Sequence, residues 1–263
     1  MKKTTSKKLI VQAKNSFNML FKTVEYQKII SDDEQRERLI ELLRVQSKGA
    51  YLDLATGTGY VGFSIKKRYP DCSVIGLDIA NETLFENLKK AKELALSNID
   101  FFIFDGITFP DFNTKFDGII CRYGLHHFPE IDVTLKQINK IMKNDGILVI
   151  SDAIRNDHDH EDFINKFQRL KKDGHVKMYT RDEMLSLFQK HNFTEAESFY
   201  SKITFSHELN PEYRSLLKTT SLKTKEKYSV VIGDNKVTLT FNILNIAFIR
   251  NPKQLRRTAF CRR

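Results

Sequence analysis

Residues 50–62 read A-Y-L-D-L-A-T-G-T-G-Y-V-G. An apolar run from Tyr51 to Ala55 passes straight into a turn carrying Gly57, Gly59 and Gly62. Glycine tolerates backbone angles that side chains forbid, and it lets a ligand approach the main chain closely. Asp53 sits inside the apolar run, just ahead of the glycines. Working outward, Asp78 ends the next apolar run, S-V-I-G-L-D, and Asp105 ends the one after it, F-F-I-F-D. Consecutive strand ends thus carry carboxylates and glycines to one edge of a parallel sheet, the edge where open α/β sheets bind ligands. The arrangement predicts a nucleoside-binding site.

The glycines alone do not identify the ligand. Gly57, Gly59 and Gly62 satisfy G-x-G-x-x-G, and Asp78 falls about where a nicotinamide-cofactor fold places its ribose acid. Asp53 separates the readings. A pyrophosphate is repelled by an anion beside the loop, because phosphate sites use bare N–H groups at a helix N-terminus. S-adenosylmethionine has no phosphate and carries an ammonium and a sulfonium, which a carboxylate suits.

Three further stretches carry a resemblance. L-D-L-A-T-G-T-G, I-G-L-D-I-A and F-D-G-I-I-C-R resemble successive motifs of the class I S-adenosylmethionine-dependent methyltransferases, over roughly residues 49–151. R-Y-G-L-H-H-F-P after the fourth strand resembles the small-molecule branch that includes the quinone-biosynthesis C-methyltransferases. That branch has Arg-Asn where this chain has His126-His127, so the resemblance carries the cofactor and leaves the acceptor open. It implies S-adenosyl-L-methionine held by Asp53, Ala55, Thr56, Gly57, Thr58 and Gly59 in the first motif. Asp78 and Ile79 take the ribose in this reading. Asp105 and Gly106 take adenine, and Cys121 and Arg122 lie beneath. His126, His127 and Tyr123 are the catalytic candidates, and no metal is expected. Metal-dependent catechol-type relatives carry an acid at the end of the fourth strand, where this chain has Cys121-Arg122.

The rest of the chain bounds these expectations. It has 263 residues, 41% of them hydrophobic, enough for one globular domain with a full core. No run approaches the ~18–20 apolar residues that span a bilayer, and polar residues interrupt the N-terminal apolar stretch too soon for a signal peptide. Three cysteines without metal spacing, Cys72, Cys121 and Cys261, suit a reducing cytoplasm. The net charge is +10. Lys2, Lys3, Lys7 and Lys8 at one end and Lys253, Arg256, Arg257, Arg262 and Arg263 at the other account for nine of those charges, so the body is near neutral. Basic ends read as solvated tails, which argues against nucleic acid as a partner.

Strand-like and helix-like runs alternate. Strands are expected at 50–55, 73–78, 101–104, 116–121 and 146–152, with helices at about 60–69, 81–96 and 131–142. Such alternation implies parallel βαβ units. Residues 7–46 read as helical, with a capping box from Ser31 to Glu34. Asn144-Asp145-Gly146 marks a turn before the fifth strand. Residues 156–162 form a polar, solvated loop, and Thr180 caps a helix running to about His191. Gly233-Asp234-Asn235 is a hairpin signal between β-rich runs. The family resemblance suggests 194–205 and 238–249 as two final antiparallel strands. The expected architecture is a doubly wound, Rossmann-like α/β fold, with a mostly parallel seven-stranded sheet, an antiparallel C-terminal hairpin and N-terminal helices. The expected divisions are 1–48 for the helical segment, 49–250 for the domain and 251–263 for a basic tail. Within the domain, 49–152 binds cofactor and about 153–235 covers the substrate.

The expected chemistry is an in-line displacement. Bringing acceptor and sulfonium together in line can contribute roughly 7–11 kcal/mol. A carbon acid or phenol acceptor also needs a base, and His126 or His127 after the fourth strand would supply it near neutral pH. Two alternatives stand beside this reading. An RNA methyltransferase would ordinarily carry an Asn/Asp-Pro-Pro-aromatic stretch where this chain has C-R-Y-G-L. A binding protein would keep the cofactor fold without turnover.

Overall fold

The computed structural model describes residues 2–251. The expected basic tail, apart from Asn251, lies outside the described residues, as does Cys261. Strands β1 (Ala50–Leu54), β2 (Ser73–Asp78), β3 (Ile99–Ile103), β4 (Phe116–Arg122) and β5 (Met142–Ala153) run parallel. β6 (Phe193–Glu208) and β8 (Lys236–Arg250) follow, with the two-residue β7 (Val231–Ile232) paired to β8. The order across the sheet is β3-β2-β1-β4-β5-β8-β6, and β8 lies antiparallel to both of its neighbours. The sheet is the expected one, with β7 as an eighth strand.

Period-two alternation sends each strand's side chains to opposite faces. Leu52, Leu54, Ile119, Cys121, Leu148 and Ile150 face one way. There they meet Leu135 and Ile138 of α6 (Ile131–Ile141) and Phe188 of α8 (Arg181–Lys190), whose ring stacks on Phe248 at 4.2 Å. Tyr51, Val74, Ile120 and Val149 face the other way, against α3 (Asp33–Leu42), α4 (Tyr60–Arg68) and α5 (Asn81–Glu93). A third apolar cluster lies where β6 and β8 run on past β5. It joins them to α7 (Phe163–Arg169), α9 (Pro211–Thr219) and α10 (Leu222–Lys227) through Phe167, Tyr213, Tyr228 and Phe241.

Several local expectations are corrected. Residues 7–46 form three helices, α1 (Lys2–Leu20), α2 (Val24–Ile30) and α3, broken around Lys22 and Ser31. Ser31 closes α2, with its hydroxyl donating to the Gln27 carbonyl. Asp32 caps α3 by accepting from Gln35 N–H at 2.9 Å, because a carboxylate one residue later reaches the first free N–H groups. The cap expected at Thr180 does form, and it is a capping box with Glu183. Asn144-Asp145-Gly146 is not a turn ahead of β5 but an outward irregularity within it, as pairing jumps from Phe116↔Met142 to Gly118↔Ile147. The 156–162 loop is not wholly solvated. Asp159 is fully buried and accepts from the Phe163 and Ile164 N–H groups and the Tyr228 hydroxyl. The N-terminal end is not a loose tail either: Ser6 is buried in α1 and donates to Glu130 at 2.6 Å.

Candidate active site

The glycine turn is built by its two flanking acids. Asp53 is buried, and its Oδ2 accepts from the Thr56 hydroxyl at 2.8 Å and from Gly62 N–H at 3.0 Å. Asp78 Oδ2 accepts from Gly57 N–H at 2.8 Å, and its Oδ1 accepts from Ala80 N–H at 2.9 Å. Asn87 of α5 donates to the Gly57 carbonyl, so the turn's polar groups are met from beneath. Burial pushes the Asp53 carboxyl up to about 6, against the pull of Thr56 and Gly62. Asp78 is likewise raised by burial. Gly57 needs both its freedoms. Its φ is +50°, and a Cβ there would lie 3.0 Å from the ring of Phe21.

Ala55 and Tyr123, at the ends of neighbouring strands, hold φ values of +58° and +56°. Left-handed non-glycine residues cost about 1–3 kcal/mol each and cluster at functional sites. Tyr123 is held there by its N–H to the Ser151 carbonyl at 2.7 Å and its hydroxyl to Gln35 at 3.2 Å. Arg122 is buried beside it. Its guanidinium donates to Gln35 Oε1 and the Ile30 carbonyl and lies over the Tyr60 and Tyr123 rings. These bonds tie α2 and α3 to the end of β4.

Between these walls lies a cavity of about 870 Å³, mouth included. Ile10, Ala13 and Phe17 of α1, then Phe21, Tyr26 and Ile30, roof it, and Phe104 and Phe128 add further apolar lining. The sequence reading expected a cover from 153–235, but that segment contributes none of the lining residues. It props the roof instead, since a Cβ on Gly174 would lie 2.4 Å from the Leu9 carbonyl and 2.8 Å from Ala13. The sequence reading gave α1 and α2 no part in the cavity. Its one signal was the recurrence of Phe17, Phe21 and Tyr26 in a stretch read only as helical.

Of the expected site residues, Asp53, Ala55, Thr56, Gly57, Thr58, Asp78, Ile79, Gly106, Arg122, Tyr123 and His127 line this cavity. Gly59 stands behind the turn as the left-handed residue that starts α4. Cys121 is buried in the core, and burial pushes its thiol well up. Asp105 is exposed, and its Oδ1 accepts from the N–H groups of Ile107 and Thr108. His126 turns away from the cavity. Its Nδ1 lies 2.6 Å from Asp152 Oδ1, and its main-chain N–H donates to Asp152 Oδ2.

His127 packs against His126, the two ring centroids 4.2 Å apart, and it is His127 that lines the cavity. It is on the single 3₁₀ turn Leu125–His127, with its ring edge-on to Phe17 at 4.9 Å. Its Nδ1 is buried without a hydrogen-bond partner. Burial, then neighbouring His126, pushes its pKa down to about 3. His175 packs 6.3 Å away, its Nε2 donating to Asn165 Oδ1, and burial pushes it down to about 2. Asp173 beside them is buried. Burial opposes its ionisation, yet Lys171 at 2.9 Å and the histidines hold it well below the usual carboxylate range. Among the described residues no group of three or more His, Cys, Asp or Glu is placed to hold a metal.

The methyltransferase domain family matches residues 28–197. An uncharacterized methyltransferase of Bacillus subtilis, YcgJ, is 25% identical over 165 residues, which are 62% of this chain and 64% of that protein. The demethylmenaquinone methyltransferase of Thermotoga maritima is 29% identical over 123 residues, 47% of this chain and 52% of the relative. The match therefore spans about half to two thirds of these relatives' length. Among solved structures, YcgJ superposes with a TM-score of 0.70 at 17% identity, over 84% of this chain and 99% of that one. Coclaurine N-methyltransferase, solved with N-methylheliamine and S-adenosylhomocysteine, superposes with a TM-score of 0.57 at 13% identity, over 89% of this chain and 78% of that one. With a family match over more than half its length, on the Rossmann-like sheet described above, the chain belongs to the methyltransferase domain family, as a class I S-adenosylmethionine-dependent member.

Proposed function

We propose that this chain transfers the methyl group of S-adenosylmethionine to a small, largely apolar acceptor. The observation that carries the reading is the shared chamber: Asp53, Asp78, the glycine turn and Arg122 open into the same aromatic-roofed cavity. The residues suit the cofactor. Each Asp78 oxygen accepts one N–H, and a carboxylate oxygen has a second lone pair to offer a ribose hydroxyl. Asp53 and Arg122 offer opposite charges to an amino-acid end that carries both. When bound, S-adenosylmethionine supplies a methyl group made electrophilic by its sulfonium.

The chain's own part is positioning and exclusion of water. The roof of α1 and α2 shields the chamber from solvent except at its mouth, which strengthens the charged contacts inside. Tyr123 and His127 present polar groups in an otherwise apolar wall. Neutral His127 lines the chamber with its ring and would orient the acceptor by contact. A phenol or carbon acid would surrender its proton to water, since His127, pushed down to about 3, is too weak a base to take it. A polynucleotide has no room under the roof, which disfavours the RNA reading. The buried free thiols Cys72 and Cys121 fit a reducing, cytoplasmic location, and no helix among the described residues is long and apolar enough to cross a membrane.

Calorimetry tests the reading. S-adenosylhomocysteine should bind, and NAD should not bind comparably. Asp78→Ala should weaken binding by one to two orders of magnitude, from the ~1.5–3 kcal/mol of a hydrogen bond to a charged group. Unchanged affinity in that variant would remove Asp78 from the ribose.

A further inference from the structure

We infer that Gln35 of α3 is a positioning residue for the cofactor: it aims the Arg122 guanidinium at the carboxylate of the amino-acid end without neutralising it. The inference rests on the methyl-transfer reading and deepens it. Gln35 is 2% exposed, so its amide must find partners inside the protein. Its Oε1 accepts from Arg122 Nε at 2.8 Å and from the Tyr123 hydroxyl at 3.2 Å, which uses both lone pairs. Arginine can only donate, so the oxygen end of the amide is fixed. The other end, Nε2, donates to Ser201 Oγ at 2.7 Å.

The amide is itself held. Ser201 Oγ accepts a second bond, from Asn245 Nδ2 at 3.0 Å, and Asn245 Oδ1 accepts from the Ser151 hydroxyl at 2.7 Å. Ser151 and Asn245 are fully buried. The bonds thus run from β5 through β8 and β6 to α3 and leave Gln35 one orientation. Satisfied buried networks of this kind rigidify the groups they join.

What the network rigidifies is a cation on the cavity wall. Nε of Arg122 is fixed by Gln35 and Nη2 by the Ile30 carbonyl. The rings of Tyr60 and Tyr123 lie 5.0 and 4.1 Å from the guanidinium carbon, and the Tyr60 hydroxyl is tied at 2.6 Å to Asp33, in the same turn of α3 as Gln35. The remaining nitrogen, Nη1, has no hydrogen-bond partner among the described residues and, unlike Nδ1 of His127, is not closed off by its neighbours. It is left to face the cavity that Arg122 lines. Arg122 is buried, yet it forms no ion pair among the described residues. A buried charge calls for a counter-charge. A neutral amide beside it holds the guanidinium in place and leaves that demand to a ligand. A guanidinium fixed in its plane recognises carboxylate, and the amino-acid end of the cofactor bears one.

The test compares two probes by calorimetry: S-adenosylhomocysteine, which has the amino-acid end, and 5′-methylthioadenosine, which lacks it. The full chain should prefer the first. Gln35→Met, which frees the guanidinium, should weaken S-adenosylhomocysteine about tenfold, the scale of one hydrogen bond to a charged group, and leave 5′-methylthioadenosine unchanged. Gln35→Glu keeps an oxygen for Arg122 and Tyr123 but supplies the counter-charge, so it should show the same selective loss. It carries the test if circular dichroism melts show Gln35→Met unfolded. In an Arg122→Met background neither change should alter the preference between probes, because no guanidinium remains to be aimed. An equal fall for both probes would make Gln35 structural and overturn the inference. So would unchanged S-adenosylhomocysteine affinity in either folded variant, or a parent chain that binds both probes alike. A parent that binds neither probe would overturn the methyl-transfer reading itself, and the inference with it.

Discussion

Asp53 must be ionised to meet an ammonium group, yet its burial favours the neutral acid. With its carboxyl pushed up to about 6, the two demands cross within an accessible pH range. Affinity for S-adenosylhomocysteine should rise as pH climbs through about 6 and level off above it. Asp53→Asn keeps an oxygen to accept from Thr56 and Gly62, so the turn should persist. Its affinity should be lower, roughly ten- to a hundredfold by the ~1.5–3 kcal/mol scale, and flat with pH by calorimetry. His127 gives a contrasting expectation. Pushed down to about 3, it stays neutral from pH 5 to 8, so it should add no inflection near the ordinary histidine value to the turnover profile. His127→Ala should cost turnover about tenfold or more if it orients the acceptor, and His127→Asn should restore part of it. Equal turnover in His127→Ala would make the residue structural. At this scale the sequence was readable where the bonds are local. The glycine turn and its acids lie within a few residues or on adjacent strands. Which histidine faces the cavity was not readable, because the choice depends on Asp152 taking up His126. Nor was the turning of the Asp105 Oδ1 into its own loop, since the same Asp-Gly pair serves a ligand or a turn.

The elements divide in the same way. The βαβ alternation was legible because each strand's two buried faces and each helix's apolar stripe are written in consecutive residues. The roof was not, because α1 has no buried stripe that the sheet requires. It is placed by far-off residues: Gly106 under Ile10, Gly57 under Phe21, and Gly174 under Leu9 and Ala13. Gly174 is the sharpest of these, with φ +80° and no space for a Cβ. Gly174→Val should therefore push α1 off the cavity rather than unfold the sheet. The expected result is a modest fall in melting temperature with a larger loss of S-adenosylhomocysteine affinity, and faster amide exchange confined to α1. Uniform exchange across the whole chain would show that the roof and the sheet are one cooperative unit.

For the molecule as a whole, the buried ionisable groups set how stability follows pH. His127, His175 and His207 all have pKa values pushed down by burial, to about 3, 2 and 4. Unfolding lets each bind a proton as pH falls below about 6.5, so each loses native stability through acid. Asp173, held low in the fold, acts in the same direction. Asp53, held high, acts in the opposite direction between about 4 and 6, and Asp78, also raised, acts with it, but the two are outnumbered. The melting temperature should fall steadily from pH 7 to pH 4, and His175→Gln should flatten part of that slope. A melting temperature constant over this range would show that these histidines are reached by water.

The position of β8 between β5 and β6 has a consequence for the order in which the chain is made. β5 is complete at Ala153 and β6 at Glu208, yet each waits for the strand that ends at Arg250. At a synthesis rate of about 5–20 residues per second, β5 stays open along one side for several seconds, and in slow translation for about twenty. During that interval the nascent polypeptide carries two open strand edges, the template on which other chains aggregate. The last part of the sheet to leave the ribosome is the part that makes it safe.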